Sequence, residues 1–467
     1  MTKGFRSALL AAVFGAAATL AAPPAVHAET LTDALIAAYR SSNLLDQNRA
    51  VLRAADEDVA VAVSALRPVV AYSMGMTKSS AERLTTTILG PRVTTASSLE
   101  KQISLSAEIT LFDFGARRLA IDAAKELVLA TRQSLVGVEH QVLFGAVQAY
   151  TAVLLAEDTL ALRQSNVRVI QQELNAAQDR FELGEVTRTD VAIAEARLAA
   201  ARANLALADG DLRIARETYN LAVGNFPGRL RPPPRAPQTA RTLEEAKAIA
   251  QRNHYAIKQL QHEVRASEIN VLRVEASQMP NVTASARAGR ATGGLDSASV
   301  GVQLSQPLYQ GGRGSALFRQ AIARRDATRA ALHQTAASVE EAVGQAWARI
   351  SVARAAISAG DQQIRAARAA YEGIREEATL GARTTLDVLN AEQELLDAQA
   401  ARLSAVTTEY NATYGLLAAM GLLTVEHLGL GIPTYDATAY YNAVKDAPAT
   451  STRGKRLERV LKSIGAE

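Results

Sequence analysis

Strict alternation of apolar and polar residues marks two stretches of the chain. A period of two predicts strands with one apolar and one polar face. Each stretch holds two such runs, so we expect β-hairpins over residues 69–112 and 281–308. The runs are about 10 residues long, the size of a tilted membrane-spanning strand. Pattern alone also fits a half-buried sheet of a soluble sandwich.

Long helical stretches follow each predicted hairpin. Residues 115–181 and 313–379 contain no proline, and at about 1.5 Å per residue each would extend roughly 100 Å. The stretches 189–223 and 385–420 are predicted to return as helices with apolar residues every seven positions. A seam kept at that spacing predicts a coiled coil, because an ordinary helical period of about 3.6 would drift out of register. The small residues on the two seams are Ala194, Ala201, Ala208, Ala215 and Ala222, then Ala391, Ala398, Ala405, Ala412 and Ala419.

The body of the chain contains one unit twice. Leu31–Ala34 matches Leu243–Ala246, and Leu183–Val191 matches Leu380–Val388. We therefore predict two tandem repeats, each with a first helix, a hairpin, a long helix and a return helix. The repeats span residues 29–224 and 242–422, their first helices cover about 30–66 and 242–278, a proline-rich linker covers 225–241, and a tail covers 423–467.

Residues 1–28 have the pattern of an export signal. Lys3 and Arg6 precede a short apolar run, which ends before Val26 and Ala28 at the small-residue positions of a cleavage site. The alternative, a membrane anchor, needs about 20 apolar residues, and this run is shorter. We expect cleavage after Ala28.

Composition narrows the possible chemistry. Aromatic residues make up 4% of the 467 positions and alanine is abundant, which is typical of closely packed helices. The net charge of +4 comes mainly from the two ends, so it does not favour nucleic acid as a partner. Cysteine is absent and the six histidines are scattered without metal-ligand spacing. We expect no cofactor, no metal site and no enzymatic activity.

Four strands cannot close a membrane barrel, because single-chain barrels need about eight. An open edge in lipid leaves backbone groups unpaired at several kcal/mol each. If the strands enter a membrane, several copies must share one barrel. Two copies would give a barrel filled by side chains, whereas three would give twelve strands and a wider lumen.

The ordered set of features resembles the TolC family of outer-membrane channel-tunnels. The set consists of the export signal, two tandem repeats, strand pairs between long helices, Leu308–Arg313 at a strand-to-helix turn, and Leu-Gly-x5-Asp-Val in both repeats. The resemblance implies a mainly α fold with membrane β-structure. A long coiled-coil α-barrel would continue a trimeric 12-stranded β-barrel, to which each protomer contributes four strands.

The resemblance also implies a function and partners. A homotrimer in the outer membrane of a Gram-negative bacterium, with a large periplasmic portion, would form a passive exit duct for type I secretion or efflux. It would dock an inner-membrane ABC or RND transporter through a periplasmic adaptor protein. A different hypothesis from the residues is a soluble periplasmic coiled-coil scaffold, whose strands form a separate small domain.

The resemblance assigns roles to residues at the two helical turns. Leu183, Gly184, Leu380 and Gly381 correspond to the periplasmic tips where adaptors dock. Asp387 corresponds to one position of an acidic ring at the tunnel entrance, whereas Asn390 stands at the second position. The polar residues that correspond to the lock of the closed tip are Thr189, Asp190 and Arg383.

Asp387 has two physical interpretations. Three copies around a narrow axis would repel one another and attract cations, as a gate requires. Alternatively, Asp387 is a helix N-terminal charge favoured by the helix dipole, and Asp190 at the same position of the first repeat supports this second interpretation.

Overall fold

The computed structural model describes residues 29–88, 90–233 and 240–447, together with residues 455, 456, 459 and 460. The export signal predicted over 1–28 lies outside the described residues. In chain order the elements are α1 (Leu31–Ser41), α2 (Asn43–Ser64), β1 (Val69–Thr87), β2 (Gly90–Phe112), α3 (Ala116–Glu182), α4 (Arg188–Val223), α5 (Leu243–Asn253), α6 (Tyr255–Ala276), β3 (Asn281–Ala291), β4 (Leu295–Ser305), α7 (Arg313–Thr379), α8 (Thr385–Ala419) and α9 (Ala437–Val444).

The same order of elements occurs twice: two short helices, a hairpin, a long helix and a return helix. The long helices α3 and α7 each contain 67 residues, so at about 1.5 Å per residue they extend roughly 100 Å. Among the described helices, none is both long and apolar enough to cross a membrane.

The first helix of each repeat is divided in two, so the prediction of one continuous helix was wrong. Ser42 separates α1 from α2, and its side chain accepts a hydrogen bond from the Leu45 N–H. His254 separates α5 from α6 and caps α6 in the same way. Both breaks lie against a glycine beyond a return helix: a Cβ on Gly224 would lie 2.5 Å from Ser41, and one on Gly421 would lie 2.7 Å from the His254 Cα. These close approaches are tertiary contacts, which a helical period does not reveal.

The four strands form one antiparallel sheet in the order β1-β2-β3-β4. β1 and β2 contain 19 and 23 residues, about twice the predicted length, whereas β3 and β4 contain 11 each. The first hairpin is longer because β1 and β2 stay paired as far as Thr87 and Gly90. β1 and β4 are the edges of the described sheet.

One face of the sheet is apolar over a limited height. On β3 and β4 this face runs from the Val282–Leu304 pair to the Ala288–Ala298 pair, seven residues along each strand. At about 3.4 Å per residue this is roughly 24 Å along each strand. Strands of membrane barrels tilt by about 40°, so this corresponds to roughly 18 Å across a bilayer. The next pair on this face is Arg290 and Asp296, a bidentate ion pair with N–O distances of 2.6 and 2.8 Å. The opposite face carries Thr283, Ser285, Arg287, Ser299, Gly301 and Gln303.

Exposed apolar and aromatic side chains surround the end of the sheet that joins the helices. Phe112 and Phe114 pack edge to face with ring centroids 4.7 Å apart, and both are about half exposed. Leu308 and Tyr309 occupy the corresponding turn of the second repeat and are almost fully exposed. Aromatic residues concentrate at such levels in membrane proteins, where lipid meets water.

Arg117 joins this end of the sheet to the helices. Its guanidinium donates to the carbonyl of Ala65 at 2.8 Å and to that of Thr110 at 2.7 Å. The Asp113 carboxylate, 2.8 Å from the Arg117 Nε, also accepts from the backbone N–H groups of Gly115 and Arg117. The end of α2, the end of β2 and the start of α3 are thereby fastened together.

Alanine allows the return helices to pack closely on their neighbours. The predicted seam of α4 is buried against α3, and the equivalent seam of α8 is buried at Leu389, Ala391, Leu396 and Ala398. A small side chain at these positions lets two backbones approach without a void. The buried seam residues of α4 are Ala194, Leu198, Ala201, Ala208, Leu212, Ala215 and Tyr219.

The largest apolar cluster lies where both repeats meet, and Glu29 is tied into it. The Tyr219 hydroxyl donates to a Glu29 carboxylate oxygen at 2.6 Å, and the Tyr150 hydroxyl lies 2.6 Å from the Arg231 carbonyl oxygen. Glu29 also pairs with Leu230 as a parallel β-bridge. The described part of the proline-rich stretch is thus held against the start of the first repeat.

We predict that the seam has no room for a larger side chain. Ala194→Leu, at a fully buried position between α3 and α4, should lower the free energy of unfolding by about 1–3 kcal/mol because of overpacking. Ala199→Leu, on the exposed face of the same helix, is the matched control and should change little. Urea unfolding followed by helical circular dichroism measures both. Equal stability of the two variants would contradict the seam packing.

Candidate functional site at the helical tips

The two helical hairpins end in turns of the same geometry. In the first turn the Gly184 N–H donates to the Phe181 carbonyl at 3.0 Å, and the Glu185 N–H donates to the Arg180 carbonyl at 2.9 Å. This pair of bonds is the Schellman motif, which needs a left-handed residue after the helix. Gly184 supplies it with a φ of 78°. The second turn repeats the motif around Gly381, with a φ of 77°.

Each return helix begins with a reciprocal capping box. The Asp387 carboxylate accepts from the Thr384 N–H at 3.0 Å and from its hydroxyl at 2.8 Å, while the Asp387 N–H donates back to that hydroxyl at 3.2 Å. Thr187 and Asp190 form the same box in the first repeat. A threonine and an acid three residues later are sufficient to stop the turn and start the helix.

The capping boxes also set the charge state of the two acids. The Thr384 N–H and hydroxyl hold the pKa of Asp387 below its ordinary value, and the Thr187 hydroxyl and N–H do the same for the pKa of Asp190. Because both pKa values are lowered, the caps stabilise the tips at neutral pH and lose this contribution as the pH falls through the folded-state values. Within one protomer, Asp387 therefore behaves as the helix N-terminal charge that the dipole interpretation describes.

Apolar side chains project from the tips. Leu183 is 75% exposed and Leu380 is 84% exposed, and each directly precedes the turn glycine. Single exposed apolar residues are common on protein surfaces, so this exposure leaves both leucines accessible to a partner without indicating one. The geometry agrees with the predicted docking role of these turns but does not test it.

The remaining predicted gate residues have partners elsewhere on the tips. Arg383 pairs with Glu377 at 2.8 Å, within the second turn. Asn390 accepts a hydrogen bond from Arg197 at 3.1 Å, which joins α8 to α4. Thr189 is exposed. One protomer thus brings Asn390 to the first repeat but gives Arg383 and Asp190 local partners, and their role in a lock stays a prediction.

A buried polar contact above the tips was not predicted from the sequence. The Asn166 amide on α3 lies 2.6 and 2.7 Å from the two carboxylate oxygens of Glu392 on α8. Both side chains are buried, and burial raises the pKa of Glu392 while the Asn166 amide opposes that rise. The sequence shows Glu392 beside the heptad seam of α8, which could have indicated a buried polar contact. Its partner Asn166 lies in the other repeat, so the pair is not visible from the sequence. The contact is one of several that join α8 to the helices of the first repeat.

The described residues contain no group of three or more histidine or acidic side chains that could hold a metal ion. The site consists of two polar turns with an exposed leucine each, and contacts between the repeats join α4 to α8 and α3 to α8 above them.

The chain contains two long helical hairpins, and the sheet at the end opposite the tips has one apolar face. This combination is typical of channel-forming helical tunnels. A family model described as outer membrane efflux protein matches residues 36–225 and 248–422. The chain belongs to this family. The prediction of a TolC-like channel-tunnel fold is confirmed.

Relatives and solved structures agree with this assignment. The chain is 35% identical over 447 residues to the outer membrane efflux protein BepC of Brucella suis biovar 1, covering 94% of this chain and 95% of that relative. It is 27% identical over 312 residues to the alkaline protease secretion protein AprF of Pseudomonas aeruginosa, covering 63% of this chain and 64% of AprF. The CmeC outer membrane channel of Campylobacter jejuni matches with a TM-score of 0.73 at 14% identity, covering 91% of each chain.

The function predicted from the resemblance is confirmed at the level of the family. This chain is an outer-membrane channel of the efflux and secretion type, and the hypothesis of a soluble periplasmic scaffold is set aside. The family and the relatives are transport channels rather than enzymes.

We predict that the turn glycine is required by backbone conformation rather than by space. A Cβ on Gly381 would meet nothing within 4 Å, yet the left-handed φ costs an L-residue about 1–2 kcal/mol. Gly381→Ala should therefore increase hydrogen exchange of the turn amides. Gly373→Ala, within α7 and also without neighbours, should instead stabilise the helix by about 0.5–1 kcal/mol. Unchanged exchange in Gly381→Ala would contradict the required conformation.

Proposed function

We propose that three copies of this chain form a passive duct across the outer membrane and the periplasm. The observation that carries the proposal is the apolar face of the four-stranded sheet, which extends about 24 Å along β3 and β4, with exposed aromatic residues at the end that joins the helices. The 67-residue helices continue from that end for roughly 100 Å. A sheet in lipid joined to long hairpins in water has the dimensions of a conduit.

The edges of the sheet support assembly. β1 and β4 lie at opposite edges, so β4 of one copy can pair with β1 of the next until the ring closes. Twelve strands from three copies leave a lumen, whereas eight from two copies would be filled by side chains. A trimer is therefore the smallest open assembly.

A second apolar surface lies on α4, away from its buried seam. Leu207, Ile214 and Leu221 follow one another at seven-residue spacing, and all three are largely exposed in the single chain. A heptad stripe of this kind packs against another helix. Contact with a neighbouring protomer would cover it and extend the ring into the α-barrel.

The finer assignments rest on the family and on the tips. The exposed leucines at positions 183 and 380 would dock a periplasmic adaptor protein, which links the duct to an inner-membrane ABC or RND transporter. Residues 1–28 would direct export and be removed. The cargo would be exported proteins or small molecules, since the relatives include a protease secretion protein and an efflux protein.

The apolar face of the sheet provides a direct test of membrane insertion. Val302→Arg places a charge on this face and should cost about 2–4 kcal/mol near the bilayer centre. We expect a strong loss of SDS-resistant trimer from the outer-membrane fraction. Gln303→Arg, on the polar face of the same strand, is the control and should assemble normally. Equal assembly of both variants would refute insertion of this sheet.

The Asp387 ring has a separate test in planar bilayers. If three copies of Asp387 line the entrance, Asp387→Asn should weaken block by multivalent cations added on the periplasmic side. Asp190→Asn removes the same capping carboxylate from the first repeat, so it controls for loss of the helix cap. Unchanged block in Asp387→Asn, or equal weakening in Asp190→Asn, would leave Asp387 as a helix cap alone.

A further inference from the structure

The segment after the second repeat is fastened along α2 and α3. The Tyr440 hydroxyl donates to the Glu57 carboxylate at 2.7 Å. The guanidinium of Arg132 lies 5.2 Å from the Tyr441 ring centroid, and that of Arg49 lies 5.5 Å from the Tyr435 ring centroid. α9 thereby packs beside a buried cluster of Leu52, Val59 and Val128. The segment is held in place by several independent contacts.

The last residues of this segment, Asp446 and Ala447, lie at the end of the sheet that joins the helices. The Arg67 guanidinium donates to the backbone carbonyls of Asp446 and Ala447. Arg67 directly precedes Pro68 and stands two residues before the start of β1. Ala447 therefore lies at the level of the exposed aromatic residues at the base of the sheet.

The sequence that follows Ala447 is basic and amphipathic. Residues 448–467 contain five bases and two acids. Leu457, Val460, Leu461 and Ile464 follow the i, i+3, i+4, i+7 pattern of one helix face, and Lys455, Arg456, Arg459 and Lys462 fall on the opposite face. Low overall hydrophobicity with a basic face is typical of helices that lie in a membrane interface.

The described residues of this stretch agree with the pattern. Lys455, Arg456 and Arg459 are helical and exposed, and the Arg459 Nε donates to the Lys455 carbonyl at 3.4 Å. Lys455 is the eighth residue after Ala447, so a fully extended chain keeps the first of these bases within about 28 Å of the anchored Ala447. The base of the sheet is within that reach.

We propose that the basic turn of Lys455, Arg456 and Arg459 binds anionic phospholipid headgroups on the periplasmic side of the outer membrane. The inference rests on the proposed insertion of the sheet, because that insertion puts the headgroups at the level of Ala447. Each base near an anionic lipid surface adds attraction, and the exposed side chain of Val460 beside them enters the acyl boundary. The segment is then a second attachment of the duct to its membrane, besides the strands.

A single fluorescent label tests the proposal on the full chain. The protein contains no cysteine, so Val460→Cys accepts one environment-sensitive probe. The labelled protein is reconstituted in vesicles of phosphatidylcholine alone or with about one third phosphatidylglycerol. We expect a blue shift and protection from iodide only in the anionic vesicles. Adding Lys455→Ser, Arg456→Ser and Arg459→Ser should weaken partitioning by on the order of 100-fold and abolish both signals.

Controls separate the possible outcomes. Arg319→Ser, Arg365→Ser and Arg368→Ser together remove the same charge from exposed positions of α7 and should leave the signal intact. A label at Val302 reports insertion of the sheet in both lipid mixtures, and its failure to contact lipid would refute the proposed function. A lipid-exposed label at Val302 with a Val460 label that ignores phosphatidylglycerol would overturn the present inference alone. Protection of the Val460 label in both lipid mixtures, unchanged by the triple substitution, would indicate a protein contact and would overturn it as well.

Discussion

The two edges of the described sheet are the constraint on which the proposed assembly depends. The described part of the chain supplies four strands, and β1 and β4 each have a described strand on one side only. In lipid, each backbone N–H or C=O group without a hydrogen-bond partner costs several kcal/mol, so an open edge is strongly unfavourable. In the proposed assembly, repetition of the chain around a closed ring pairs both edges. The proposed duct would then depend on hydrogen bonding as much as on shape.

The long helical hairpins pack closely, and their seams carry many small side chains. Alanine on the seams allows α4 and α8 to approach their neighbours closely, and the capping boxes make each turn short. The buried contact between Asn166 and Glu392 then sets one hairpin against the other. Close packing along the hairpins and a defined pair of tips follow from these local features.

The sequence was informative where a pattern is local. The heptads of α4 and α8, the Leu-Gly turns and the alternation in the strands each predicted an element that the structure contains. It was uninformative where an element depends on a distant one. The breaks at Ser42 and His254 reflect the approach of Gly224 and Gly421, and the partner of Glu392 lies in the other repeat. The predicted lock links the two repeats and the predicted acidic ring needs several copies of the chain, and both stay predictions.

By itself the sequence determined the duplicated order of elements, the apolar face of the sheet and the family, because period, spacing and turn chemistry are properties of neighbouring residues. Only the tertiary structure decided where the first helices divide, how far β1 and β2 remain paired, and where the segment around Asp446 and Ala447 is fastened. The physical reason is that these features arise from contacts between residues hundreds of positions apart or from a register that many weak pairs set together. Arg67 illustrates the point: nothing beside it in the chain indicates that its guanidinium holds the carbonyl groups of Asp446 and Ala447.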